Sequence, residues 1–422
     1  MSQARETGPG VGSGGSDQST VRRANLALVL RSLRDSGPRS RARLAADLGL
    51  NKATVSSLVA ELADRGLARD GSPERGAVGR PGTTVEINGA GAYGVGAEIN
   101  VHHVTTLAVD LAGATVSERR TSVDTRGLRP GQVVDRLVDL LDGTLADVAE
   151  LGAVPVSVVA GVAGLVDHDA GTVSVAPNLG WKGVELASLL RTKLGDPTYL
   201  VAVANEANLA AVAEATPGDP DRRDILVIHG EVGIGGGIVA DGRLYQGRLG
   251  FAGEFGHMVV ERGGRRCGCG RVGCWETVIG LSRLIEMAAD GGDLLHSPDL
   301  DLETKVEEIN RRAAAGDERT LAALHEVGRW VGVGAAALSN ALNPGMIVLS
   351  GYLGEVGEWI RDDVESEVAG GVLAPDAGGT RIGLSTLGFS AAVRGAAAVA
   401  IEHIYDDPTL ARRATDSLEA MS

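Results

Sequence analysis

Aromatic residues make up only 3% of the 422-residue chain. That supply is too small for a nucleic-acid surface built on stacked rings, which needs several aromatics along one groove. Cysteine is scarcer still: Cys267, Cys269 and Cys274 are all there is, and an odd count cannot make a closed disulfide set. No apolar run reaches the roughly 20 residues of a membrane span, and the N-terminus carries no apolar signal region. These absences lead us to expect a cytoplasmic protein without membrane contact. Positive charge is short as well, the formal net charge being −15. The deficit is uneven: residues 1–85 hold 13 Lys and Arg against 8 Asp and Glu, leaving 27 against 47 for the rest. A basic head on an acidic body suits a DNA-binding domain attached to a domain with other work. What the chain does have is glycine, 61 residues of it, and 44% hydrophobic residues, enough for a large core in two or three domains.

The three cysteines lie between Gly253 and Glu276, and His257 stands ten residues before the first of them. Three thiolates and one imidazole are a complete tetrahedral set for a structural zinc ion. Gly263, Gly264, Gly268, Gly270 and Gly273 let a short loop fold sharply back on one ion. Glu254 and Glu276 flank the set; a carboxylate accepts several hydrogen bonds and so suits a polyol, though both can equally be solvated surface acids.

The pattern Glu254-x-x-His257, then Cys267-x-Cys269-Gly270-x-x-Gly273-Cys274-x-Glu276, resembles the signature of the ROK family of repressors, open reading frames and sugar kinases. The resemblance implies that His257, Cys267, Cys269 and Cys274 bind zinc. It also implies that Glu254, the free ring nitrogen of His257 and Glu276 hold sugar hydroxyls. Clamping one imidazole nitrogen on a metal fixes where the other points.

Ahead of that body the pattern is helical. Residues 1–19 are Gly, Ser and other polar residues without periodicity, read as a disordered leader. Leu26, Val29, Leu30 and Leu33 form one buried stripe on a helix over about 21–34, which Gly37-Pro38 ends. Ser40 is placed to cap a second helix carrying Leu44, Ala45 and Leu48; Gly49-Leu50 makes a turn; Asn51 caps a third helix with Val55, Leu58, Val59 and Leu62 inward. Helix, short helix, tight turn and helix make a helix-turn-helix. Its third helix presents Lys52, Thr54, Ser56 and Ser57 near its start. Arg69, Arg75 and Gly79-Arg80-Pro81-Gly82 before a strand over 83–87 read as a wing. Candidate DNA contacts are Arg41, Asn51, Lys52, Thr54, Ser56, Ser57 and Arg80. The region also resembles the winged helix of the repressor branch of ROK proteins.

The body repeats itself. Residues 93–116 and 225–244 both read as strand, turn, strand, suggesting a duplicated α/β fold with a cleft between lobes. The resemblance implies an actin-like, ribonuclease-H-like two-lobed domain: a first lobe over 90–204 plus 388–405, and a second over 205–387 with the zinc loop at 257–274. Residues 406–422 read as a tail. ROK kinases carry Asp-x-Gly-Gly-Thr-Lys at their first phosphate loop. Here the matching stretch is Glu98-Ile99-Asn100-Val101-His102-His103, and Val101 obstructs close backbone approach to a phosphate. The paired histidines read as ordinary packing and exposure on opposite strand faces. The family's catalytic Asp is matched by Glu206, one methylene longer, after Asn205. Val232 stands where the kinases have threonine in a second glycine-rich loop, and the resemblance places further sugar contacts at Gly164 and Asn178.

The expected protein is therefore a non-enzymatic, sugar-sensing transcription factor with a structural Zn2+ ion. It would act as a homodimer or homotetramer on an inverted-repeat operator, with a monosaccharide effector. An active sugar kinase with an added DNA-binding domain, and a regulator controlled by a protein partner, stay open at this stage.

Overall fold

The computed structural model describes residues 18–73, 83–215, 219–373 and 379–411. The chain divides into two compact units, Met1–Gly91 with Ile404–Ser422, and Ala92–His403.

In the first unit, helix α1 (Gln18–Ser36) buries Leu26, Val29, Leu30 and Leu33, the stripe that the periodicity predicts. Gln18 and Ser19, expected in the leader, already belong to this helix, and 1–17 lie outside the described residues. Strand β1 (Arg39–Ser40) leads into α2 (Arg41–Leu48). Ser40 occupies the N-cap position in extended conformation, but its side chain makes no capping bond. Gly49 closes α2 at φ 66°, in the left-handed region that favours glycine. Helix α3 (Lys52–Asp64) is capped by Asn51, whose side chain accepts from the Thr54 amide at 2.8 Å. Strands β2 (Ala68–Pro73) and β3 (Thr83–Ile87) complete an antiparallel sheet in the order β1-β3-β2. Arg75 and Arg80, with the rest of 74–82, lie outside the described residues.

The C-terminal residues do not all form a tail. Asp406 ends the last helix and pairs with Arg31, Asp407 pairs with Arg23 at 3.4 Å, and Arg34 lies over the Tyr405 ring, 4.4 Å from its centroid. Pro408–Leu410 forms a 3-10 turn, and Arg65 Nη1 donates to the Ala411 carbonyl at 2.7 Å. Opposite charges and backbone carbonyls within reach of α1 and α3 hold this segment on the first unit; 412–422 lie outside the described residues.

The second unit contains two five-stranded sheets built on one plan. The first is formed by β4 (Tyr93–Ile99), β5 (His103–Asp110), β6 (Thr115–Ser122), β7 (Ser157–Val162) and, after the short β8 (Leu165–Asp167), β9 (Thr172–Ala176) and β10 (Trp181–Val184), by β11 (Leu200–Asn205). The second is formed by β12 (Ile225–Gly230), β13 (Ile234–Ala240), β14 (Arg243–Leu244), β15 (Met346–Gly351) and β16 (Arg381–Leu384). Each begins as an antiparallel meander of three strands. One further strand then pairs parallel with the meander's first strand and a second pairs parallel with that one, giving orders β6-β5-β4-β7-β11 and β14-β13-β12-β15-β16. This is the duplication expected from the repeated hairpin.

Helices cover these sheets: α4 (Pro130–Glu150), α5 (Leu186–Lys193), α6 (Glu206–Glu214), α7 (Glu276–Ile279), α8 (Leu281–Ala288), α9 (Leu302–Ala314), α10 (Glu318–Leu342), α11 (Tyr352–Glu355), α12 (Gly357–Gly371) and α13 (Ala391–Asp406). Val133, Val134, Leu137 and Leu141 of α4 pack in the core of the first sheet. The small residues of α13 let it come close to β4: a Cβ at Gly96 would stand 2.4 Å from the Val393 carbonyl oxygen and 2.5 Å from the Ala397 amide. No described helix is long and apolar enough to cross a membrane.

Gly96→Val forces this helix off the sheet and is expected to cost about 1–3 kcal/mol of stability. A urea titration followed by circular dichroism checks it; an unchanged midpoint means the close approach is not needed.

Candidate ligand cleft, metal loop and DNA-facing helix

The loop after β14 is shaped by backbone constraints. Gly273 has φ 80°, and a Cβ there would fall 1.8 Å from the Glu261 carbonyl oxygen. Val260 donates to the Gly273 carbonyl at 3.0 Å and Cys267 to the Arg271 carbonyl at 2.8 Å, folding the chain back on itself. One donor atom from each of His257, Cys267, Cys269 and Cys274 then lies within 4.8 Å of the others. Cys269 Sγ is 3.6 Å from Cys274 Sγ, and Cys267 Sγ is 3.7 Å from His257 Nδ1. Four ligands at about 2.3 Å around a tetrahedral ion stand about 3.8 Å apart, whereas a disulfide brings sulfurs to about 2.05 Å. The donor set fits a tetrahedral metal, and the loop is able to hold one.

The same loop aims its neighbours. With Nδ1 on the cysteine side, His257 Nε2 turns to Glu254, 4.0 Å from Oε2. Glu276 Oε1 lies 3.4 Å from Cys267 Sγ, and Oε2 accepts from the Ile234 amide at 3.2 Å. A Cβ built on Gly233 would stand 2.5 Å from Glu276 Oε2 and 3.6 Å from Asn178 Nδ2, so Asn178 and Glu276 meet over that glycine. Burial raises the Glu254 pKa; Glu276 adds to the rise and His257 opposes it. Asn205 caps α6, accepting from the Asn208 amide at 2.9 Å, while its Nδ2 donates to the Gly164 carbonyl at 2.9 Å. Gly164 thus orients Asn205, and a Cβ on it would meet Val175 and Ala176.

Glu206, the next residue, belongs to a second group. One carboxylate oxygen from each of Glu98, Glu206 and Glu231 lies within 4.8 Å of the others. Glu98 is on β4, Glu206 opens α6 and Glu231 follows β12, so the group forms where the strand ends of both sheets converge. Asn100 Nδ2 donates to Glu231 Oε2 and, at 3.3 Å, to Glu98 Oε1. His229 Nε2 is 3.2 Å from Glu231 Oε1, and His103 Nε2 is 3.5 Å from Glu98 Oε1. Burial, with Glu231, Glu98 and Glu254 nearby, pushes the Glu206 carboxyl well above the usual range. Burial also raises Glu231, but hydrogen bonding and charge from His229, with His103 and Asn100, outweigh it and hold Glu231 low.

This group was not legible as a site from the sequence. His103 was expected to be ordinary packing, yet it is buried in this network and also faces Arg120 Nη2 at 3.3 Å. The available signal was Glu98 inside the otherwise apolar strand 93–99 and His229 inside the strand 225–230, because a polar side chain in a buried strand needs a partner. Val101 is buried. The backbone turn at that point is closed by the Asn100 side chain, whose Oδ1 accepts from the Val101 amide at 2.7 Å and the His102 amide at 3.4 Å.

On the first unit, Asn51, Lys52, Ser56 and Ser57 are exposed at the start of α3 and Thr54 is half-buried. Asn51 uses its side-chain oxygen as the cap, Ser57 Oγ accepts from Arg22 Nη2 at 3.1 Å, and Arg41 pairs with Asp70 at 2.9 Å. Lys52, Thr54 and Ser56 lie together at the helix start, and Arg80 lies outside the described residues.

The family model described as ROK family matches residues 94–403. The xylose repressor of Bacillus subtilis (strain 168) is 28% identical over 395 residues, 93% of this chain and 99% of its own. A ROK family transcriptional regulator, a homologue of the E. coli MLC protein, superposes with a TM-score of 0.76 at 24% identity over 92% of this chain and 97% of its own. A ROK family glucokinase from Streptomyces griseus, solved with glucose and AMPPNP, superposes with a TM-score of 0.63 at 28% identity over 74% of this chain and all of its own. The family model runs through both lobes around the cysteine loop, and by that match the chain belongs to the ROK family.

Proposed function

We propose that the protein is a sugar-responsive DNA-binding transcriptional regulator, a repressor of carbohydrate-metabolism genes, that senses a monosaccharide or derivative without phosphorylating it. The observation that carries the reading is the Asn100 turn. Its side-chain oxygen takes up the backbone amides of Val101 and His102 where the resembled kinases cradle a phosphate. The side chains that suit a polyol are kept meanwhile: Glu254 faces His257, Glu276 meets Asn178, Asn205 is bonded to Gly164, and Glu206 is within electrostatic reach of Glu254. Similarity to a xylose repressor over 93% of this chain supports a regulator rather than a kinase.

The likeness to a glucokinase favours a second reading, an active kinase. It would need Glu206 as general base at neutral pH, and Glu206 sits where burial and three carboxylates resist its ionisation. A coupled assay with ATP and a sugar panel is expected to show no turnover; steady turnover lost in Glu206→Ala establishes the kinase reading instead.

The four-donor loop holds a structural zinc ion, which fixes the His257 ring and with it the sugar-facing nitrogen. Cys269→Ser is expected to lower zinc content from one ion per chain and to lower the melting temperature. Elemental analysis of protein purified without chelator checks it, and finding no zinc in the native chain overturns the assignment.

Lys52, Thr54, Ser56 and Ser57 read DNA, with Arg41, Asn51 and Arg80 on the flanks. A single helix-turn-helix reads a short half-site, so the chain acts as a homodimer or homotetramer on an inverted repeat. Sugar favours one arrangement of the lobes and so shifts operator affinity only by its difference in affinity for the two forms. A coupling of about 1–3 kcal/mol changes operator affinity roughly 5- to 150-fold, and operator must change sugar affinity by the same factor. Titrating operator binding against a sugar panel is expected to show release in the native protein and little response in Glu254→Ala. Sugar affinity unchanged by saturating operator refutes the coupling.

A further inference from the structure

The chain between β14 and Glu254 is a strap anchored at both ends to one strand of the second lobe, β13. At its start the Tyr245 amide donates to the Ile238 carbonyl at 2.7 Å. At its end Gly253, at φ 99°, lies so close to β13 that a Cβ would stand 2.1 Å from the Gly236 carbonyl oxygen. Between these points the Ala252 amide donates to the Gln246 carbonyl at 3.2 Å and draws the loop shut. Held by backbone at three places, the strap moves with its sheet. Gly247, Arg248 and Leu249 are exposed, but Gly250 is buried, and what lies against it belongs to the first lobe. A Cβ at Gly250 would stand 2.8 Å from the Val166 carbonyl oxygen and 3.1 Å from His168 Nδ1. Val166 is in β8, and His168 follows it in the turn to β9. A backbone oxygen cannot swing aside as the end of a long side chain can, so strap and hairpin meet this closely only with glycine at 250.

This meeting point flanks the residues assigned to sugar. Val166 lies two residues after Gly164, about 7 Å along a strand. Gly250 lies four residues before Glu254, at most about 14 Å of chain. The second strand of the hairpin, β9, runs through Ala176 to the turn that carries Asn178. Deeper between the lobes stands Glu206, its Oε2 buried. We propose that the contact at Gly250 is the outer rim of the sugar cleft and determines its specificity: strap and hairpin close behind a single ring, so the cleft takes a free monosaccharide and excludes a disaccharide. This inference rests on the sugar-sensing reading of the same cleft. A second ring leaving on the rim side needs the space of the Val166 carbonyl and the His168 ring, and so holds the lobes apart. Asn178 and Glu276 meet over Gly233 in the closed arrangement, and a wedge at the rim separates such pairs. Any side chain at position 250 acts as the same wedge.

Isothermal titration of the full, zinc-replete chain tests this with a panel of aldopentoses, aldohexoses and amino sugars, each as the free sugar and as its homodisaccharide. A free sugar is expected to bind and its disaccharide to give no detectable heat. Gly250→Ala is expected to weaken that sugar about 5- to 150-fold, the range that one methyl forced into a packed contact produces. Gly247→Ala is the control: at φ 69° it carries similar backbone strain, but its Cβ meets only Ala252 of the strap itself, at 3.4 Å. It is expected to leave sugar affinity within about twofold. Circular dichroism and zinc content verify that both variants fold. A disaccharide bound as tightly as its monosaccharide overturns the proposal, and so does a Gly250→Ala chain that binds sugar no more weakly than Gly247→Ala. Absence of binding by every sugar of the panel refutes the sugar-sensing reading itself, and the rim falls with it.

Discussion

The close grouping of His257, Cys267, Cys269 and Cys274 is the constraint on which the loop between Gly253 and Glu276 depends. Glu254 and the 3-10 turn ending at His257 lie in a stretch with little regular structure, and Glu276 opens the one-turn helix α7. Drawing four donors together fixes the His257 ring, and the chain leaves the loop through Trp275, between Cys274 and Glu276. Trp275 is fully buried and donates from Nε1 to the Trp330 carbonyl at 2.7 Å. Gly334 of α10 makes room for it, since a Cβ there would stand 2.1 Å from the indole. The position of Glu276 therefore follows from a buried tryptophan on one side and the cysteine cluster on the other.

The duplicated sheets set the rest. Strands with the same order in both lobes bring β4, β11 and β12 to end near one place, and the side chains that follow those strands meet there. Such a junction is where an α/β sheet binds its ligands, at the carboxyl ends of its strands. In this chain the junction is charged rather than glycine-lined on the side of the first lobe. Asn100 closes the turn after β4, and Glu98, Glu206 and Glu231 crowd behind it. The cost of burying that charge has to be met by partners, which is why two histidines, an asparagine and a serine surround it.

The first unit has a different electrostatic economy. Several of its arginines are engaged: Arg22 and Arg65 hold the buried Glu61, Arg41 holds Asp70, and Arg31 and Arg23 hold Asp406 and Asp407. The exposed face at the start of α3 is left with short hydroxyl side chains and Lys52, a surface that admits close approach of a partner's edge. Arginine here does structural work first, and a count of basic residues overstates what is free to meet phosphate.

How much of this was legible follows from the range of each interaction. The apolar stripe of α1, the Asn51 cap, the repeated hairpins and the cysteine spacing are local patterns, because helix period, strand alternation and chelate geometry are set by residues close in sequence. By itself the sequence determined the order of elements, the duplicated plan and the grouping of His257 with the three cysteines. Only the tertiary structure decided that Asp406 and Asp407 return to the first unit. It alone also decided that Asn100 reaches Glu231, a residue 131 positions away, and that three carboxylates share one buried space. Glu98 ends an apolar strand, Glu206 opens a helix and Glu231 follows a strand, and their proximity arises from the convergence of two sheets. The free energy that makes such a group a site, mutual repulsion in a medium without water, exists only once the lobes have closed around it.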